Sequence, residues 1–159
     1  MRVFVARLPS WLWLALLGAA LPGLLARSED SPPRHEKERL AGPILARVVR
    51  VIDGDTLVVR ARIWLGQEVE TSVRLLGADA PELKGDCDGE RRMAEEARDF
   101  LRHHVDGKQV VLKNVLNDKY GGRVIAEVDD EAGLNLSQLL IRKGLARSYG
   151  GGHRGGWCS

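Results

Sequence analysis

Apolar and polar positions divide the chain into regions with different periodicities. Residues 8–26 read LPSWLWLALLGAALPGLLA, almost without charge and behind the basic stretch MRVFVAR. Residues 27–41 are polar and charge-rich, with Pro32-Pro33 among them. Beyond them Val48, Val49, Val51 and Ile52, then Leu57, Val58 and Val59, form two apolar runs either side of Asp53-Gly54-Asp55. That is a strand–turn–strand pattern. Gly66-Gln67 marks a second turn, and residues 69–76 alternate as a third strand. Helical spacing then takes over in residues 90–104, where Met93, Ala97, Phe100 and Leu101 share one stripe. Acids lead this helix and His103-His104 close it, in keeping with the helix dipole, so the two histidines read as terminal residues rather than catalysts. Residues 109–115 and 123–128 form two further strands joined by a loop over 117–122. A second helix over 135–143 stops at Gly144, a left-handed cap.

Five strands with a helix between the third and fourth is the order of an oligonucleotide-binding barrel. The expected fold class is therefore α+β, mainly β: a five-stranded OB-fold barrel with two helices. A length of 159 residues suits one such domain. Residues 1–26 have the order of a secretory signal, and the apolar stretch is also nearly long enough to stay in a bilayer. The expected organisation is a signal peptide or N-terminal membrane anchor at 1–26, a flexible polar linker at 27–41, the barrel domain at 42–149 and a glycine-rich tail at 150–159. Cleavage makes the protein periplasmic or secreted; without it, residues 8–26 attach the domain to the membrane.

A hydrophobic fraction of 44% and a charged fraction of 29% exclude wholesale disorder. The formal charge of +2 changes meaning once Arg2 and Arg7 are set aside with the export segment, because the remainder carries 22 basic and 22 acidic residues. Attraction to a polyanion must then come from local arrangement and not from net charge.

Three clusters carry candidate chemistry. The first is IDGDT at 52–56, the second RLLGADAPE at 74–82, and the third DKYGGR at 118–123. Each alone is an ordinary turn or a pair of solvated loop acids. Together, Asp55 and Asp79 offer hard oxygen ligands with no Cys or His close in sequence, which suits calcium or magnesium. Arg74 and Arg123 offer planar forks that match phosphate oxygens, and Glu82 offers a base for water. A hard cation, two arginines and a carboxylate base are the parts needed to hydrolyse a phosphodiester.

These motifs, in this order over residues 46–149, resemble those of the staphylococcal (thermo)nuclease family, in an exported bacterial-type form. The resemblance implies a calcium-dependent nuclease that cleaves DNA and RNA to leave 3′-phosphates. Carried over by motif, Asp55 and Asp79 bind calcium directly, Ala80 through its main-chain carbonyl, and Asp53 from the outer sphere. Arg74 and Arg123 become the catalytic arginines and Glu82 the general base, while Lys119, Tyr120 and Tyr149 contact the nucleotide. Two departures stand out: Gly121-Gly122 adds a residue before Arg123, and a glycine-rich tail replaces a long C-terminal helix. A further expectation is a disulfide between Cys87 and Cys158, tying the tail beside the loop of Glu82 in an oxidising compartment.

The expected partner is nucleic acid, DNA or RNA, bound by a monomer with weak sequence preference, since few aromatic residues are available for stacking. The main alternative is a non-catalytic OB module that binds nucleic acid or another polyanion. Retention of Asp55, Asp79, Arg74, Glu82 and Arg123 favours the enzyme. A structural envelope element is the third reading, for which the neutral charge leaves room.

Overall fold

The computed structural model describes residues 38–158. The expected export segment at 1–26 and linker residues 27–37 lie outside them. The elements are β1 (Arg39–Leu40), β2 (Ile44–Asp53), β3 (Thr56–Trp64), β4 (Gln67–Leu75), β5 (Ala78–Asp79), α1 (Asp88–Val105), β6 (Gln109–Asn117), β7 (Arg123–Asp129), α2 (Leu136–Arg142) and β8 (Arg147–Ser148). Strands β2, β3 and β4 form the antiparallel meander, β7 lies parallel to β4, and β6 joins β7 back to β2. The result is the closed five-stranded barrel with two helices.

Alternation explains the interior. Ala46 and Val48 on β2, Leu57 and Val59 on β3, Val73 and Leu75 on β4, and Val110 and Leu112 on β6 are buried together. Val49 faces the surface in step with this alternation, and an irregular register between Val48 and Arg50 then breaks it, so that Arg50 is exposed too. Helix α1 closes one side with Ala94, Ala97, Leu101 and Val105, so its buried ridge shares Ala97 and Leu101 with the expected stripe and departs from it elsewhere. Only Ala97 and Leu101 of that stripe are fully buried; Met93 and Phe100 sit half-buried at its edge. At the helix end, His103 Nδ1 meets the Asp99 carbonyl at 2.7 Å, and His104 Nε2 meets Asp130 at 2.9 Å. Burial pushes the Asp130 carboxyl up, but hydrogen bonds from Leu134 N–H, His104 and Ala132 N–H outweigh it and hold it below the usual range. Among the described residues, no helix is long and apolar enough to cross a membrane.

Three two-residue strands are too short to leave a periodic signal. Strand β1 pairs with the end of β6, Arg39 opposite Leu116, so paired chain begins inside the stretch expected as linker. Strands β5 and β8 pair with each other, Ala78 opposite Ser148 and Asp79 opposite Arg147. Helix α2 ends where Gly144 turns to φ +72°, which lets Leu145 N–H reach the Leu140 carbonyl at 2.9 Å. That turn sends the chain back as β8, alongside Asp79.

Candidate active site

The β2–β3 hairpin supplies the first acids. Gly54 is the residue that seats it. A Cβ there would lie 2.7 Å from the Ala80 Cβ and 2.8 Å from the Ala97 Cβ, so only glycine lets the hairpin pack against both α1 and the segment after β5. The requirement is space and not a positive φ, which Gly54 does not have. Asp55 is thereby brought into the interior, 3% exposed, where it accepts from Thr56 Oγ1 at 3.0 Å and from Ala80 N–H at 3.3 Å.

Arg74 is the last residue but one of β4, and Asp79 ends β5. Both are buried, at 7% and 4% exposure. Arg74 Nη2 lies 2.5 Å from Asp55 Oδ2 and 3.5 Å from Asp79 Oδ1, so one guanidinium holds two carboxylates from separate strands. Burial raises Asp55 from its ordinary value to about 6; Arg74 pulls it down and Asp53 pushes it up. Asp53 keeps its Oδ1 buried without a hydrogen-bond partner. Two buried acids, an orphaned third and the adjacent Ala80 backbone form an all-oxygen set that fits a hard divalent cation.

Glu82 follows on the loop before α1. Its backbone N–H donates to the buried Glu90 carboxylate at 3.4 Å, as does that of Asp86 at 3.1 Å, so Glu90 supports the loop from beneath. Gly85 packs so close to Glu90 that a Cβ would fall 2.4 Å from its carboxyl carbon. Cys87 caps α1, its sulfur 3.5 Å from Glu90 N–H, and is disulfide-bonded to Cys158.

The β6–β7 loop supplies the opposite wall. Gly122 adopts φ +78°, and the Asp118 N–H closes the loop on the Arg123 carbonyl at 3.2 Å. The additional glycine is taken up in this turn, while the β6–β7 register shift lies further along, between Lys113 and Leu116. Arg123 Nε meets Asp118 Oδ2 at 2.5 Å, and its guanidinium carbon lies 5.2 Å from the Tyr120 ring centre. Lys119 Nζ lies 5.0 Å from the same ring. Burial raises the Asp118 carboxyl, but the Arg123 and Lys119 hydrogen bonds and the charges of Arg123 and Arg74 prevail and lower it. Asp118 thus stays ionised and fixes Arg123 at the loop base.

Asp53, Arg74, Glu82, Lys119, Tyr120, Arg123 and Tyr149 line one cleft of about 890 Å³. Asp55 and Asp79 sit behind its floor, in contact with Arg74. Tyr149 donates its hydroxyl to the Gly152 carbonyl at 2.7 Å. One cation here was not singled out by sequence: Arg154, from the glycine-rich tail. Its Nε lies 3.0 Å from Asp79 Oδ1 and its Nη1 2.5 Å from Glu82 Oε1. Its position four residues before Cys158 was the available signal, since the expected disulfide would bring it near the Glu82 loop.

Residues 72–154 match the family model described as staphylococcal nuclease homologue. The matched span includes Arg74, Asp79, Glu82, Arg123, Tyr149 and Arg154. An Escherichia coli protein named "Uncharacterized endonuclease" is 34% identical over 110 residues, covering 69% of this chain and 64% of that protein. "Endonuclease YhcR" of Bacillus subtilis is 31% identical over 133 residues, 79% of this chain and 10% of that one. "Thermonuclease" of Staphylococcus hyicus is 31% identical over 105 residues, 64% of this chain and 57% of the relative. The chain thus spans less than two thirds of the length of these curated relatives.

Proposed function

Since the chain belongs to the staphylococcal nuclease family, we propose that it is an exported, calcium-dependent nuclease that hydrolyses phosphodiester bonds of DNA and RNA. One observation carries the reading: Arg74, Glu82 and Arg123, from three separate segments, line a single cleft against the Asp55–Asp79 pair. Asp55, Asp79 and the Ala80 carbonyl would hold calcium, with Asp53 in the outer sphere. When bound, the ion neutralises charge on the phosphate and helps orient it.

The chain's own groups carry the proton and the remaining charge. Glu82 takes a proton from water, whose oxygen attacks phosphorus while the bond to the 5′ oxygen breaks; that oxygen takes a proton from solvent and leaves as the 5′-hydroxyl, and the other product ends in a 3′-phosphate. Arg123 keeps its terminal nitrogens for phosphate oxygens, because Asp118 occupies its Nε. Arg74 faces the same cleft while bracing the two acids behind it. Tyr120 and Tyr149 are the aromatic rings of the cleft, which limits base stacking and supports weak sequence preference. The disulfide suits an oxidising compartment and hence export.

The test is hydrolysis of single-stranded DNA by the purified protein, with calcium and with a calcium chelator. Calcium-dependent release of 3′-phosphate ends is expected. Binding without cleavage by folded protein would replace the enzyme with a non-catalytic polyanion-binding module.

The pH dependence follows from Asp55. Calcium needs its ionised form, and burial holds its pKa near 6 in the folded protein. Calcium affinity is therefore expected to fall by about tenfold between pH 7 and pH 5 from this group alone. Without calcium the sign reverses for stability. A carboxyl raised above its unfolded value binds its proton more tightly when folded, so this group adds stability as pH falls through about 6 towards 4. Calorimetric calcium titrations and urea unfolding at the two pH values check both signs.

A further inference from the structure

We propose that Arg154 is a positioning residue of this site, delivered by the C-terminal tail to lock the Glu82 carboxylate to that of Asp79. The inference rests on the nuclease reading and assigns the tail a part in it. Among the described residues, Arg154 makes the one hydrogen bond to the Glu82 side chain, at 2.5 Å. Glu82 is otherwise a half-exposed loop carboxylate, 50% accessible, and a side chain of that kind loses rotamer freedom only when something holds it. The same guanidinium reaches Asp79 at 3.0 Å, so it spans a proposed calcium ligand and the proposed base.

The tail is built to deliver this group. It leaves the barrel as β8, paired with β5 so that Arg147 stands opposite Asp79. It ends at Cys158, bonded to Cys87 on the Glu82 loop. Glu82 and Arg154 therefore precede the two bonded sulfurs by five and four residues, and one covalent link holds both sides of the ion pair. Between these ends, Arg147 donates to the Gly156 carbonyl at 2.9 Å and stacks 3.7 Å from the Trp157 ring centre. The glycines at 150–152 and 155–156 let so short a strap turn tightly, with Gly151 and Gly152 both at φ +98°. Arg154 gives its Nε to Asp79 and its Nη1 to Glu82, so its proposed effect lies in holding these two carboxylates.

The experiment compares wild type, Arg154→Gln, Cys158→Ser and the double variant as full chains, with the disulfide formed wherever both cysteines remain. Cys158→Ser opens the strap but keeps Cys87, whose sulfur caps α1. Turnover and KM on single-stranded DNA, calcium affinity without substrate, and melting temperature are measured for each. Arg154→Gln should lower kcat by about 30- to 100-fold, the effect of a misplaced reacting group, with KM within about twofold. Its calcium affinity should rise about tenfold, because a positive charge beside Asp79 has gone. Cys158→Ser should lower kcat in the same direction, and the double variant should be no worse than Arg154→Gln, as expected of one coupled device. Unchanged or raised kcat in Arg154→Gln, a loss confined to KM, or unmoved calcium affinity would each overturn the proposal. An inactive wild type sinks the nuclease reading instead, and the calcium titration then still decides whether Arg154 is coupled to the acids.

Discussion

Replacing Glu82 with glutamine is expected to lower turnover of single-stranded DNA by about 10²- to 10⁴-fold, the range for removing a general base. Glutamine keeps the shape and the oxygen that accepts from Arg154, so the ion pair becomes a hydrogen bond from a charged donor to a neutral acceptor and the geometry persists. What is lost is the proposed capacity to take a proton from water. The side chain is half-exposed and outside the core, so the melting temperature should stay within a few degrees of wild type. Steady-state kinetics beside a thermal melt measure the two effects separately. Calcium-dependent activity unchanged in Glu82→Gln would leave a nuclease but remove Glu82 as its base.

Arg74→Met should instead damage stability and activity together. Arg74 is the cation shared by Asp55 and Asp79, and all three side chains are buried. Removing one partner of a buried ion pair typically costs 3–5 kcal/mol, and about 3 kcal/mol is expected here because Arg154 still holds Asp79. The cost depends on pH with a definite sign. Arg74 is what pulls Asp55 down against its burial, so its loss drives the Asp55 pKa further up. Asp55 then avoids charge by taking a proton, which is easier in acid. The destabilisation should be largest near pH 8 and shrink towards pH 5, as read by urea unfolding. An equal loss at both pH values would mean that Arg74 matters through packing and not through the two acids. Activity should fall in parallel, since the braced carboxylates and the cleft-lining guanidinium go together.

The residues argued from sequence converge unevenly. Arg74, Glu82, Arg123, Lys119, Tyr120 and Tyr149 meet at one cleft, and Asp55 and Asp79 stand behind it. Their motifs occupy turns and strand ends, where a few adjacent residue types betray the local backbone. The buried ridge of α1 was less legible. Periodicity marks an apolar face but not which residues within it meet the barrel, and the small Ala94 and Ala97 matter because they allow close approach. Gly54 illustrates the same limit. In sequence it is a turn glycine; in the structure it is the gap through which the hairpin meets Ala80 and Ala97.

What the chain's sequence determined by itself was the order of elements, three strands, helix, two strands and helix, together with the motifs that end them. Side-chain periodicity and turn chemistry act over a few residues and can be read there. Tertiary structure alone decided the parallel pairing of β4 with β7, the joining of Asp55 and Asp79 through one arginine, and the bridging of Asp79 and Glu82 by Arg154; the expected Cys87–Cys158 disulfide placed the tail beside the Glu82 loop but not this arginine on the two acids. These contacts join residues far apart in the chain, and Arg154 reaches Glu82 across 72 positions. No local preference encodes such a meeting. It exists because the barrel closes, Gly144 turns the chain back, a two-residue strand pairs beside Asp79, and the disulfide fastens the end.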